Sequence, residues 1–142
     1  MLEYNVRFGD PECQVVVPLV DSDLAELLAQ AAAGALTSSP KFSSDAMVSV
    51  VLAAEHYPLL PRTGDVIEGL DEARAIEGVT ICCAGVSAGA HGRLLTAGGR
   101  VLSVCGRGPT IAIARERAYQ GVSAISWPGM HFRTDIAASA AT

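Results

Sequence analysis

A chain of 142 residues, half of them hydrophobic and 5% aromatic, has room for one sizeable core or a core with an appendage, built from Ala, Val, Leu and Ile. Its net charge of -5 supplies no broad basic field, which argues against nucleic acid as a partner; anionic substrates would need magnesium and a few local arginines. No stretch approaches the roughly 18 uninterrupted apolar residues of a membrane helix, so no membrane partner is expected, and without a secretory pattern at the start a cytoplasmic address is expected.

Taken in order, the first stretch is the densest in chemistry. Read as an extended strand, residues 2–8 put Glu3, Asn5 and Arg7 on one face and Tyr4, Val6 and Phe8 on the other, a polar face and a core face. Gly9-Asp10-Pro11 stops the strand, and Asp10 is placed to cap a short helix with Pro11 at its first position. A carboxylate, an amide oxygen and a guanidinium in a row suit magnesium and the phosphates it bridges. The same spacing also suits an ordinary amphipathic strand with a solvated face.

After an apolar run from Gln14 to Leu19, an amphipathic helix is expected from about Asp23, with Leu24, Leu27, Leu28, Ala31, Ala32 and Ala35 at helical spacing and Gly34 at its C-terminal end. Residues 37–44 read as a loop and as the best internal boundary. Ala46 to Ala54 reads as a strand buried on both faces, and Glu55-His56-Tyr57-Pro58 as an extended exit from it, with His56 a surface residue. Gly64 to Leu70 suggests a turn and a short strand, Asp71 to Ile76 a helical turn or two, and Val79 to Ala84 a buried strand.

Beyond a flexible loop at 85–92, Arg93–Thr96 and Arg100–Cys105 look like a hairpin joined by Ala97-Gly98-Gly99. A last helix is expected over Thr110–Ile125, with Ile111, Ala114, Ala118, Val122 and Ile125 inward. Closely spaced strands favour antiparallel pairing, because parallel crossovers need a dozen or more residues. Cys13, Cys82, Cys83 and Cys105 show neither a CxxC pair nor zinc-like spacing, so buried thiols are expected. At Gly98-Gly99-Arg100 two glycines would let backbone amides approach an anion beside a forked donor, although glycines that merely supply a turn explain the same residues. No GxxxxGK[ST] loop occurs, and nucleotide binding by this chain alone is unsupported.

The run Glu3-Tyr4-Asn5-Val6-Arg7-Phe8-Gly9-Asp10-Pro11-Glu12-Cys13-Gln14 resembles the last conserved motif of the ATP-grasp domain in the phosphoribosylamine–glycine ligase family. Similarity continues in the family's order through Tyr57-Pro58, Gly64 to Leu70, Ala84-Gly85, Gly98 to Leu102, Ala118-Tyr119 and Arg133 to Ile136. The chain therefore resembles the C-terminal part of such an enzyme, excised or truncated just before the motif.

That resemblance implies an α+β fold, a mostly antiparallel sheet with flanking helices, joined to the last strand of the ATP-grasp lobe. Residues 1–20 would be the remnant of the ATP-grasp domain and 21–142 the C-terminal domain, with 37–44 linker-like. The parent would join glycine to 5-phosphoribosylamine with ATP hydrolysed to ADP and phosphate, through a glycyl phosphate, in purine biosynthesis. Glu3 and Asn5 would hold Mg2+ (or Mn2+), Arg7 would stabilise the phosphoryl or acyl-phosphate charge, and Asp10, Gly98, Gly99 and Arg100 would lie at the substrate. The chain alone, without the ATP-binding lobe, would be inactive.

Several positions depart from the family pattern. His56 replaces a glycine before Tyr-Pro, Cys83 and Val86 replace a histidine and a threonine, Ala97 replaces an asparagine, and Ala137 replaces a glycine. The replaced side chains at Cys83 and Ala97 support an alternative, a binding or interaction module derived from the domain. An uncovered N-terminal segment with Val15-Val16-Val17 nearby also implies self-association of the fragment.

Overall fold

A computed structural model describes residues 6 to 141. Its strands are β1 (Ala46–Ala53), β2 (Val79–Cys83), β3 (Val86–Ala88), β4 (Leu94–Thr96) and β5 (Arg100–Gly108); its α-helices are α1 (Cys13–Val16), α2 (Leu24–Ala32), α3 (Leu70–Arg74) and α4 (Ile111–Ala124). The fold is α+β and both sheets are antiparallel: a three-stranded sheet in the order β1-β5-β2, and β3 paired with β4. As the middle strand, β5 is bonded along both edges, and Val101 to Cys105 are buried on both of its faces. β1 is an edge strand, so Val48, Val50 and Leu52 are buried while the residues between them are half-buried, not sealed on both faces.

One face of the sheet is covered by α4. Thr110 caps the helix, its hydroxyl accepting from the Ile113 amide at 3.3 Å, and Ala114, Ala118, Val122 and Ile125 are buried as their spacing predicts. Small residues bring the helix against the strand. A side-chain carbon at Gly106 would land on the Ala114 carbonyl oxygen and the Ala118 nitrogen, and one at Gly121 would come within 2.8 Å of Val104 Cγ1. Ile111 departs from the expected stripe; it sits in the first turn and is 38% exposed.

The opposite face is more polar: strand alternation and pairing gather Ser49, Thr80, Cys82, Ser103 and Cys105 there. Against it lie α1 and the 3₁₀ turn Val17–Leu19 that continues it. The Cys105 thiol donates to Ser49 Oγ at 3.4 Å, and burial pushes its pKa up to about 11. All four cysteines are free thiols, but only Cys105 is buried and Cys83 is exposed, because β2 is an edge strand. α2 matches its expected bounds. Asp23 accepts from the Glu26 amide at 3.0 Å, and Gly34, at φ +66°, closes the other end with amide bonds from Gly34 to Ala31 and from Ala35 to Gln30.

Four other local readings change. The strand expected over residues 2–8 falls partly outside the described residues; within them Val6 and Arg7 form a bend, and Phe8 is 55% exposed at the rim of a groove, not in the core. Asp10 does not cap α1: the N-cap is Glu12, and the Asp10 carboxylate is taken by other partners. Gly64 to Leu70 forms no strand, only the isolated bridges Val66–Leu95 and Glu68–Ser126 before α3 begins at Leu70. The hairpin across Ala97-Gly98-Gly99 does not form. β4 is occupied by β3 on one side and, on the other, by Thr96 N to Asp65 O and Ile67 N to Leu94 O bonds, leaving it no edge for β5.

Because the core is centred on β5, Leu102→Ala is expected to lower the unfolding free energy by about 2 to 5 kcal/mol, and Gly106→Val by about 1 to 3 kcal/mol through overpacking against α4. Urea unfolding followed by circular dichroism checks both; unchanged midpoints would show that the helix can withdraw without loss.

Candidate functional site

Glu3 and Asn5 lie outside the described residues. Arg7 is exposed in the bend, and its Nη1 donates to the neighbouring Phe8 carbonyl at 2.9 Å. From there the chain turns into α1, and Asp10 meets Arg100. Arg100 Nη2 lies 3.1 Å from the Asp10 carboxylate, and Nη1 donates to the Asp10 carbonyl at 2.9 Å, a contact spanning 90 positions of sequence. Gln14 Nε2 donates to the same carboxylate at 2.9 Å. Both ion-pair partners are nearly half exposed, so the pair contributes at most about 1 kcal/mol to stability. Its larger effect is geometric, since one guanidinium grips both the side chain and the main chain of Asp10.

Gly98 and Gly99 immediately precede Arg100, so three of the four expected substrate positions are contiguous and the fourth is bonded to them. Neither glycine has a left-handed backbone. Packing constrains both to different degrees: a carbon on Gly98 would come within 3.1 Å of Gly85 Cα, a tight contact, whereas one on Gly99 would strike the Tyr57 ring. Gly99 O accepts from the Ala54 amide at 2.9 Å, and Ala97 N donates to Gly85 O at 2.7 Å. Since Arg100 already uses both terminal nitrogens on Asp10, an anion arriving here would share the guanidinium with that carboxylate. Beside the pair runs a cleft of about 480 Å³, lined by Phe8, Asp10, Cys13, Gln14, Thr80 and Cys82 among others.

No run of adjacent residues signals the contact of Asp10 with Arg100, or of Tyr57 with Gly99; each joins residues far apart in the chain. A nearby support has a local signal in the sequence, an arginine flanked closely by carboxylates. Arg62, between Pro61 and Gly64, bridges Glu55 at 3.1 Å and Asp65 at 2.7 Å, and those carboxylates, Glu55 foremost, raise the guanidinium's pKa. Among the described residues no group of three His, Cys, Asp or Glu side chains could hold a metal. His56 is exposed, as expected, and 4.0 Å from Glu55.

Two departures from the family pattern acquire a physical meaning. His56 has φ +66° and Ala137 φ +56°, left-handed conformations at the two places where the resemblance leads one to expect glycine. An L side chain there costs roughly 1 to 2 kcal/mol. His56→Gly and Ala137→Gly are each therefore expected to raise stability by up to about 1 kcal/mol, the penalty being partly offset by glycine's greater unfolded-state entropy. Thermal and urea unfolding check this; a loss of stability in both would show that these conformations carry no penalty.

Known proteins share this architecture and these segments. A phosphoribosylamine–glycine ligase of Leifsonia xyli is 50% identical over 99% of this chain, and the chloroplastic one of Arabidopsis thaliana is 44% identical over 96%. The crystal structure of the corresponding Thermotoga maritima ligase superposes with a TM-score of 0.79 at 36% identity, covering 95% of this chain and 32% of that one. The chain spans 34% of the Leifsonia protein and 26% of the Arabidopsis protein, about a third or less of these relatives. The family model described as "Phosphoribosylglycinamide synthetase, C domain" matches residues 47–139, from the second residue of β1 to past α4. With its sheet, its long helix and the segments between them all inside that match, the chain belongs to the phosphoribosylglycinamide synthetase C domain family.

Proposed function

We propose that the chain is the C-terminal part of a phosphoribosylamine–glycine ligase, an ATP-grasp enzyme that joins glycine to 5-phosphoribosylamine while ATP is converted to ADP and phosphate. Identity of 44 to 50% over nearly the whole chain supports the family activity. The observation that carries the reading to particular residues is the grip of Arg100 on Asp10, which joins two separate parts of the motif resemblance, the run ending at Gln14 and Gly98 to Leu102. In this reading residues 1–20 belong to the ATP-binding domain and 21–142 to the C-terminal domain, with the loop at 37–44 linker-like.

The chemistry assigns each group a task. Glycine's carboxylate must become an acyl phosphate before the amine of phosphoribosylamine can displace phosphate from it. The Arg7 guanidinium, a forked donor, suits the charge on the transferring phosphoryl group, and Arg100 with the adjacent glycine backbone suits the substrate's phosphate. Glu3 and Asn5 are the hard oxygen donors assigned to magnesium or manganese, which would neutralise ATP phosphates. The adenine-binding part lies in the remainder of the enzyme, so the 142 residues alone are inactive.

A chimera of this chain with the N-terminal two thirds of the Leifsonia ligase tests the reading. Production of glycinamide ribonucleotide is expected from the chimera and not from the chain alone, with Glu3→Gln lowering kcat by at least about tenfold. Turnover by the chain alone, or a chimera that folds and binds ATP yet stays inactive, would overturn it.

The remainder of the ligase also accounts for the apolar groove lined by Phe8, Val16, Leu24, Leu28, Leu36 and Phe42 among others. α2 has no buried residue, and Leu28 is 51% exposed; we assign this surface to the rest of the parent enzyme, whose relatives are about three times longer than this chain. In the isolated chain the same surface pairs copies with each other. Sedimentation equilibrium is expected to show association that rises with concentration and is abolished by Leu28→Glu; a monomer at all concentrations would reject self-association.

A further inference from the structure

We propose that Arg107 is a positioning residue for the candidate site, acting on Asp10 and Arg100 from the far end of β5 through α1. Its guanidinium uses all three nitrogens: Nε donates to Asp45 at 2.7 Å, Nη2 to Ser43 Oγ at 2.9 Å, and Nη1 to the Pro18 carbonyl at 3.2 Å. Pro18 lies in the 3₁₀ turn that continues α1. A run of backbone bonds, from Cys13 N to Gly9 O through to Val20 N to Val17 O, makes residues 9–20 one short rod. Arg100 holds that rod at Asp10 and Arg107 holds it at Pro18.

Two features bring both arginines to the same side of the sheet. Strict alternation would put residues seven apart on opposite faces, but β5 carries an irregularity. Leu102 faces Leu52 and Arg100 faces Ala53, so Val101 has no opposite number, and this bulge re-aims Arg100 towards the face that α1 covers. The second feature is the acceptor platform. Ser43 and Asp45 follow a segment laced to the end of the rod by Asp21 N to Lys41 O at 2.9 Å and Ser43 N to Leu19 O at 2.8 Å, so Arg107 binds rod and brace together.

A four-residue helix on a polar sheet face has too little apolar burial to hold its own orientation. The arginines therefore set where Asp10, and with it Arg7, sits relative to Gly98 and Gly99. The consequence for catalysis rests on the ligase reading; the coupling itself does not, and it can be read in this chain without any activity.

The test uses the 142-residue protein with Arg107→Met and, separately, Asp45→Asn, which loosens the Arg107 end while leaving the arginine in place. Amide exchange by NMR reports the rod at Cys13 and Val16 and the core at Val50 and Val104. The Arg100 guanidinium signals report the distant pair, since a guanidinium gripped at two points rotates slowly. The expected result in both variants is exchange at Cys13 and Val16 faster by about tenfold or more, free rotation of Arg100, unchanged core protection, and no rescue by Arg107→Lys, whose single ammonium cannot span the three acceptors. Unchanged Arg100 signals in both variants would overturn the proposal, as the two ends would then be independent. Equal loss of protection in rod and core in both would overturn it too, reducing Arg107 to a stabiliser of the whole fold.

Discussion

The structure depends on the close approach of α4 to β5 at Gly106. A helix normally stands off a strand by the thickness of two side chains, and here one of those layers is absent: Gly106 presents its backbone to Ala114 and Ala118, themselves small. That approach buries Val104, Val122 and their neighbours completely, and burial of this kind is the largest favourable contribution to folding. Everything else is attached to β5. Its two edges hold β1 and β2, and its two ends carry Arg100 and Arg107.

The two faces of that strand are held by different physics. On the α4 side the contact is apolar, closely packed and costly to change. On the other, Ser49, Ser103, Thr80 and two cysteines meet a helix of four residues, and directed hydrogen bonds from arginines take the place of oil-like burial. Partly exposed ion pairs of this kind contribute little stability each. They do fix direction, because a planar fork bonded at two or three points tolerates little rotation. A segment held in that way is suited to positioning reactive groups, which depends more on geometry than on stability.

The candidate site was legible in the sequence to an uneven degree. Gly98, Gly99 and Arg100 stand out locally as a glycine-rich turn beside a forked donor, Asp10 is placed at the substrate by motif resemblance, and Asp10 and Arg100 are bonded. Local turn chemistry explains the two glycines only in part, because the Tyr57 ring and Gly85 that crowd them come from elsewhere in the chain. Asp10 reads locally as a helix cap, a role set by near neighbours; instead it is held by a guanidinium 90 positions away. Arg107 carried no signal, since its acceptors, a carbonyl, a hydroxyl and a carboxylate, are ordinary residues until the fold gathers them.

What the sequence by itself determined was local: α2 with its Asp23 cap and Gly34 stop, α4 from Thr110 with its buried stripe, and β1 and β2 within a residue of their ends. Each follows from the period of apolar residues and from backbone preferences within a turn or two. Only the tertiary structure decided which strands pair. Arg93–Thr96 and Arg100–Cys105 read as a hairpin, yet β4 joins β3 and residues 65–67 while β5 crosses to β1 and β2. A strand's pattern records that one of its faces will be buried but not which edge will be bonded, because backbone donors and acceptors are the same at every position. The bulge at Val101 is of the same kind: one unopposed residue, invisible in the apolar pattern, decides which face Arg100 serves.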